Sequence, residues 1–189
     1  MKTVIDNNLV KADLFKILSM GFSYPNQEKC DDMESIIFDL LKDADLDLEI
    51  QEQLKSIQKN IDYKEILREY SRIFLKGTIP TTETAVCAKM NCVADVAGFY
   101  KAFGMNAKSG DSPDTIIYQL EFASLLLVKM ALAKDEEHSF IVHDAYQKFM
   151  NDHLKEFAEK FQEKLQSAGP IEFYNGLSNL LISITKKQN

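Results

Sequence analysis

Several features that commonly mark a function are missing from this 189-residue sequence. It has no tryptophan, and its seven glycines are scattered, so no glycine-rich phosphate loop and no turn presenting a nucleophilic serine are found. The 22 basic residues form no dense run and the net charge is −7, which argues against nucleic acid as the main partner. Catalytic chemistry has no obvious site, and we expect a protein that is not an enzyme.

Long apolar segments are also missing. The nearest candidate, residues 122–132, is too short to cross a membrane and is interrupted by Lys129. The first ten residues lack the continuous apolar region of an export signal. The sequence therefore predicts a soluble, cytoplasmic protein without stable membrane insertion, whose three cysteines are reduced thiols.

Patterns for binding a metal are weak. Cys87 and Cys92 are five residues apart, which places their side chains on different faces of a helix, whereas structural zinc needs four convergent ligands. The three histidines do not supply the Glu-x-x-His pairs of a di-iron bundle. Asp135 and His138 come nearest, at a charged helix junction where a solvated pair is expected. We expect neither a metal nor a cofactor.

Apolar residues recur at helical spacing along the whole chain, and no alternating run is long enough for a sheet. Asp62 is the expected cap of a fourth helix that Gly77 closes. A fifth helix is predicted to run from Thr81 or Thr82 to Gly104. The prediction is an all-α protein of eight or nine helices, with residues 1–189 forming one domain.

Other helix boundaries follow from capping residues. Asn7 or Asn8 is the expected cap of the first helix, which the Tyr-Pro turn at Pro25 ends. Asn151 or Asp152 is the expected cap of an eighth helix.

The clearest helix start lies near the middle of the chain. Asp111 or the serine after it is the expected N-cap, and Pro113 suits the first helical position because its missing N–H would be unpaired there. Asp114 then places negative charge at the positive end of the helix dipole. Asp114, Tyr118 and Glu121 fall on one face of this helix, which we expect to meet a partner.

Several segments resemble the TorD/DmsD/NarJ group of molybdoenzyme-assembly chaperones. The resemblance extends over nearly the whole chain, in residues 14–25, 69–74, Gly77, Pro80, Glu83, Thr84, 99–104, Pro113, Asp114, 119–122, His153, Leu154, Phe161, Phe173 and Tyr174. Three positions depart from the family pattern. Thr115 stands where a histidine is usual, Gln119 replaces the first glutamate of a Glu-Leu-Glu-Phe motif, and the proline-rich loop has Thr81 and Thr82 but no aromatic residue.

The resemblance implies a cytoplasmic, non-catalytic chaperone for the catalytic subunit of a molybdopterin-containing oxidoreductase. In many relatives such a chaperone recognises the twin-arginine leader and delays export until the cofactor is inserted. Paired arginines followed by an apolar segment need carboxylates beside an apolar groove, and an acidic helical protein can offer both. The residues expected at this client site are Tyr70, Phe74, Glu83, Tyr100, Asp111, Pro113, Asp114, Tyr118 and Glu121.

Each of these residues also has a purely structural explanation. Asp111 can serve as a cap, Glu83 and Asp114 can interact with helix dipoles, and the aromatic residues can belong to the core. Two other classes of protein stay open, an all-α metal-binding bundle and a helical adaptor that binds no leader. Both a monomer and a homodimer are compatible with the sequence.

Overall fold

The structure, a computed structural model, describes residues 6–186, so the ends of the predicted domain, residues 1–5 and 187–189, lie outside it. Its helices are α1 (Asn7–Phe22), α2 (Gln27–Asp43), α3 (Leu48–Lys59), α4 (Tyr63–Tyr70), α5 (Glu83–Cys87), α6 (Cys92–Ala102), α7 (Ile116–Ala131), α8 (Glu136–Phe149), α9 (Lys155–Ser167) and α10 (Glu172–Lys186).

Two π-helical segments extend these helices. Ser71–Leu75 continues α4, and Met150–Leu154 joins α8 to α9 without a break. With α8 and α9 counted as one helix, residues 6–186 hold nine helices and no strand, which confirms the all-α prediction. No helix in this range is both long and apolar enough to span a membrane.

Helices α1 and α7 pack against each other along most of their length. Two serine hydroxyls tie them together: Ser19 Oγ donates to the carbonyl of Ile117 at 3.2 Å, and Ser124 Oγ donates to that of Ala12 at 2.9 Å. Helix α10 packs on α1, α3 and α9. These contacts bury the apolar faces of the helices in one core, with the ends of α1 and α7 left to border a surface groove.

Several local predictions are confirmed. Asp62 caps α4 by accepting a hydrogen bond from the backbone N–H of Glu65, and Gly77 ends the π segment with a φ of 71°. Asp135 caps α8 and contacts the exposed His138 ring at 2.7 Å. The predicted caps of the first helix are wrong, because Asp6 is the N-cap and Asn7 and Asn8 lie in the first turn of α1.

The predicted fifth helix is in fact two helices. Helix α5 ends at Cys87, Ala88 and Asn91 take left-handed backbone conformations with φ of 54° and 70°, and α6 begins at Cys92. Met90 lies in the gap between the two helices and is 87% exposed. The apolar period continues across this break, so periodicity alone could not reveal it.

The predicted eighth-helix caps are also wrong, because the chain stays helical through Asn151 and Asp152. The π segment keeps Met150, His153 and Leu154 buried, so the face that packs on the core continues from α8 into α9. A π-helical turn in place of an interruption accommodates this change of register.

The start of α7 differs from the prediction. The helix begins at Ile116, and its N-cap is Thr115, whose Oγ1 accepts from the N–H of Tyr118 at 3.4 Å. Pro113 and Asp114 therefore precede the helix and do not lie in its first turn.

Residues 113–115 instead run beside residues 81–83. The N–H of Glu83 donates to the carbonyl of Asp114 at 2.8 Å, and the N–H of Ile116 donates to that of Thr81 at 2.8 Å. This pairing brings the Asp114 carboxylate to the start of α5, where it accepts from the N–H and the hydroxyl of Thr84. Asp114 thus caps a helix 30 positions away, which a local cap pattern does not predict.

Candidate functional site

A groove of about 690 Å³ lies between the end of α1, the start of α2 and the loop before α7. We call it the α1–α7 groove. Four predicted site residues line it, namely Tyr70, Asp111, Tyr118 and Glu121. It therefore brings together two of the predicted carboxylates and two of the predicted aromatic side chains.

Tyr118 holds one wall of the α1–α7 groove in place. Its hydroxyl donates to Oδ2 of Asp111 at 2.6 Å and accepts from the N–H of Lys108 at 3.1 Å, so it joins the loop to α7. Burial and the Asp111 carboxylate raise the pKa of Tyr118, which keeps it protonated as a donor. Glu121, one turn further on, makes no hydrogen bond or ion pair within residues 6–186.

The opposite wall is aromatic. Tyr24, which is 54% exposed, packs edge-on against Tyr70 with ring centroids 5.5 Å apart, and Tyr70 contacts Phe74 at 5.1 Å. Phe74 lies behind this wall and packs on Phe161 and Tyr174 in the core. The wall is therefore fixed from behind, while Tyr24 stays open to a partner.

The charge of the α1–α7 groove is mixed, because lysines accompany the expected carboxylates. Its charged residues are Lys16, Lys29, Lys108, Asp32, Asp111 and Glu121. The Lys29 ammonium donates to Ser23 Oγ and to the carbonyl of Tyr24 at the end of α1. Burial, with the nearby charges of Lys108 and Lys16, lowers the pKa of Lys29.

The other five predicted residues lie away from the α1–α7 groove. Glu83 and Asp114 are fully buried, and Phe74 packs against Phe161 and Tyr174 in the core. The Tyr100 hydroxyl donates to the carbonyl of Pro113 at 2.9 Å, and burial raises the pKa of Tyr100. These residues hold the loops that border the groove and do not line it.

Glu83 is the centre of a buried polar cluster. Its Oε2 accepts from Nε2 of Gln119 at 2.7 Å and lies 3.0 Å from Nδ1 of His153, while Lys89 Nζ is 3.4 Å from Oε1. Burial would raise the pKa of Glu83, but His153, Gln119 and Lys89 together lower it. Burial would likewise lower the pKa of His153, but Glu83 and Asp95 raise it, so both directions favour an imidazolium–carboxylate pair.

A second cavity, of about 570 Å³, opens beside this cluster. Cys92 and His153 line it, together with Lys89, Asp95 and Asp152. His153 Nε2 and Asp95 Oδ2 are 3.2 Å apart, close enough for an ion pair, but they are not aligned for a hydrogen bond.

Sequence reasoning did not assign this cluster. Glu83, Cys92, Gln119 and His153 come from four different elements, so no local spacing connects them. The only signal was the family resemblance, in which Glu83, Gln119 and His153 each occupy a motif position.

A family model described as Nitrate reductase delta subunit matches residues 42–163, which is well over half of the chain. The match covers α3 to most of α9, and it contains all nine predicted site residues. The chain therefore belongs to this family of molybdoenzyme-assembly chaperones, and the predicted resemblance is confirmed. No curated protein matches the chain.

Proposed function

We propose that this protein binds, in the cytoplasm, the catalytic subunit of a molybdopterin oxidoreductase through its twin-arginine leader and assists cofactor insertion before assembly or export. The family membership supports the client class. The observation that carries the leader-binding part is that the α1–α7 groove combines carboxylates without partners and an exposed aromatic wall.

The carboxylates suit arginine. Asp32 and Glu121 line the α1–α7 groove, and neither makes a hydrogen bond or ion pair with any residue that the structure describes. A guanidinium presents a planar fork of donors that matches a carboxylate, and each charge-assisted hydrogen bond contributes roughly 1.5–3 kcal/mol. Paired arginines would be held at these two side chains.

The apolar part of a leader would follow the aromatic wall. Met20, Tyr24, Tyr70 and Ile117 line the α1–α7 groove beside the charged residues. Apolar anchors beside charged positions are the usual composition of a groove that binds a peptide. The lysines restrict the charge of the client, because Lys29 and Lys108 would repel an arginine placed on their side.

The nine predicted site residues have two different roles. Tyr70, Asp111, Tyr118 and Glu121 would contact the leader, because they line the α1–α7 groove. The remaining five, Phe74, Glu83, Tyr100, Pro113 and Asp114, would act by holding the groove's walls in position.

Calorimetric titration with a precursor catalytic subunit tests the proposal. E121Q and D32N remove one charge each while keeping shape, and each should weaken binding by about tenfold, corresponding to ~1.4 kcal/mol. E163Q is the matched control, because Glu163 is exposed on α9 and outside the groove. Equal affinities in all four proteins would contradict the assigned site.

A precursor lacking its leader separates the leader from the folded body of the client. If the leader supplies the arginines, its removal should reduce binding strongly, and the affinity of the intact precursor should fall as salt rises. Full affinity for the leaderless subunit would place recognition on its body.

A further inference from the structure

Three side chains of different ligand chemistry meet in the buried polar cluster. A carboxylate oxygen of Glu83, Sγ of Cys92 and a ring nitrogen of His153 all lie within 4.8 Å of one another, and all three residues are buried. With metal–ligand bonds of about 2.0–2.3 Å, the ligand atoms of a tetrahedral zinc ion lie about 3.3–3.8 Å apart. Small side-chain adjustments would therefore bring the three atoms to coordination distance.

The cluster also contains an unsatisfied polar atom. Gln119 is fully buried, and its Nε2 is used by Glu83, but its Oε1 has no partner in residues 6–186. A buried polar atom without a partner is costly, so this oxygen calls for an explanation such as a bound ion or its water.

We propose that Glu83, Cys92 and His153 form a binding site for a divalent transition-metal ion of the zinc class, separate from the α1–α7 groove. Thiolate, imidazole and carboxylate together are the donor set that zinc takes, whereas magnesium and calcium prefer oxygen alone. Two anionic ligands, Glu83 and Cys92, balance the charge of the ion.

Asp95 would support the site from outside. A histidine that binds a metal through one nitrogen usually donates its other N–H to a carboxylate, which orients the ring. Here the nitrogen that faces Glu83 is Nδ1, and the other, Nε2, lies 3.2 Å from Asp95 Oδ2, so that a small rotation of the exposed Asp95 side chain would align the two atoms for a hydrogen bond. Asp95 is therefore a positioning residue and not a ligand.

An ion can reach the cluster from solvent and can replace the cation now beside Glu83. Cys92 and His153 line the cavity of about 570 Å³, so the site is reached from solvent. Lys89 is the cation now nearest to Glu83, at 3.4 Å, but its ammonium also contacts Glu156 at 2.8 Å and the carbonyl of Asp152 at 2.9 Å. If a metal ion took the place of Lys89 beside Glu83, the Lys89 ammonium would keep its contacts with Glu156 and Asp152.

A bound ion would join three elements of the fold. Glu83 begins α5, Cys92 begins α6 and His153 lies in the π segment between α8 and α9. The ion would bridge the break at Ala88 and Asn91 and fix α5 and α6 relative to each other.

Titration of the metal-stripped, full-length protein with Co²⁺, a spectroscopic substitute for Zn²⁺, tests the proposal. One equivalent should produce the near-ultraviolet charge-transfer band of a cobalt thiolate. C92S should lose the band, whereas C30S and C87S, which alter the other two buried thiols, should keep it. D95N should bind Zn²⁺ roughly ten- to a hundredfold more weakly.

Absence of the band in the wild-type protein, or its survival in C92S, would overturn the site and leave the cluster an imidazolium–carboxylate pair. X-ray absorption of the zinc-loaded wild-type protein gives a test that needs no variant to fold. One sulfur at about 2.3 Å with nitrogen and oxygen at about 2.0–2.2 Å is expected, and a shell without sulfur would contradict the proposal. Neither result depends on client binding, so the metal site and the leader site stand or fall separately.

Discussion

The amide nitrogen of Gln119 lies 2.7 Å from Oε2 of Glu83, and both side chains are fully buried. Gln119 occupies a position where the family resemblance leads one to expect glutamate. Two carboxylates at this distance cannot both be ionised in the interior, whereas a glutamine donates a hydrogen bond and leaves Glu83 charged beside His153. The departure from the family pattern therefore suits the ion pair at the centre of the cluster.

Replacing Gln119 with glutamate should destabilise the fold at neutral pH. Its carboxyl would have to stay protonated beside Glu83 or repel it, which costs roughly 2–4 kcal/mol near pH 7. Because the introduced group has a raised pKa, the loss should shrink as the pH falls towards that pKa. Urea unfolding of Q119E at two pH values measures both effects.

Q27E is the matched control for that experiment, because Gln27 is exposed at the start of α2. Its change should stay within about 0.5 kcal/mol. Equal stability of Q119E and Q27E at pH 7 would show that the cluster tolerates a second carboxylate.

Asp114 and Asp111 should separate stability from binding. Asp114 accepts two hydrogen bonds from Thr84 at the start of α5 and one from Ser112, so D114A should cost roughly 1–3 kcal/mol of unfolding free energy. D111N changes an exposed residue of the α1–α7 groove, so it should leave the melting temperature nearly unchanged and weaken client binding. Thermal melts and client titrations of both variants provide the measurement. A normal melting temperature for D114A together with a lowered one for D111N would contradict this assignment.

Glu69 should contribute to stability above pH 5. It accepts from Arg72 at 2.6 and 2.7 Å and from the N–H of Ile171 at 3.1 Å, tying the π segment after α4 to the start of α10. The Arg72 hydrogen bond lowers the Glu69 pKa below its ordinary 4.5, despite the opposing effect of burial. The contribution is therefore present above the unfolded-state pKa and is lost as the pH falls through the lower, folded-state value.

E69Q should accordingly lose stability at pH 7 and show a flatter decline than the wild-type protein between about pH 5 and 3. Melting temperatures across this range provide the measurement. E65Q is the control, since Glu65 forms only an exposed pair with Arg68, which contributes little. Parallel curves for E69Q and the wild-type protein would exclude this role.

The sequence predicted those features of the fold that depend on residues close together in the chain. Asp62 and Gly77 act where the sequence places them, because a cap or a left-handed glycine works within one turn. The break at Ala88 and Asn91 was missed because the apolar period runs across it. Asp114 was assigned to the wrong helix because its carboxylate serves Thr84, far away in sequence.

The site was predictable in part for the same reason. Tyr118 and Glu121 lie one helical turn apart on α7, so their shared face could be predicted, and both line the α1–α7 groove. Asp32 and the groove lysines come from α1, α2 and the loop before α7, and only the packing of these elements brings them together. The polar cluster around Glu83 was missed because its members meet only in the folded chain.

The most direct test of the leader-binding groove is the affinity of a synthetic peptide, with paired arginines before an apolar segment, for two charge-reversal variants. E121K should weaken binding by at least about tenfold, and K108E should strengthen it, because the two residues carry opposite charges in the same groove. E163K, on the exposed face of α9, should leave the dissociation constant unchanged. Opposite shifts for E121K and K108E would support the account, whereas shifts in the same direction, or none, would contradict it.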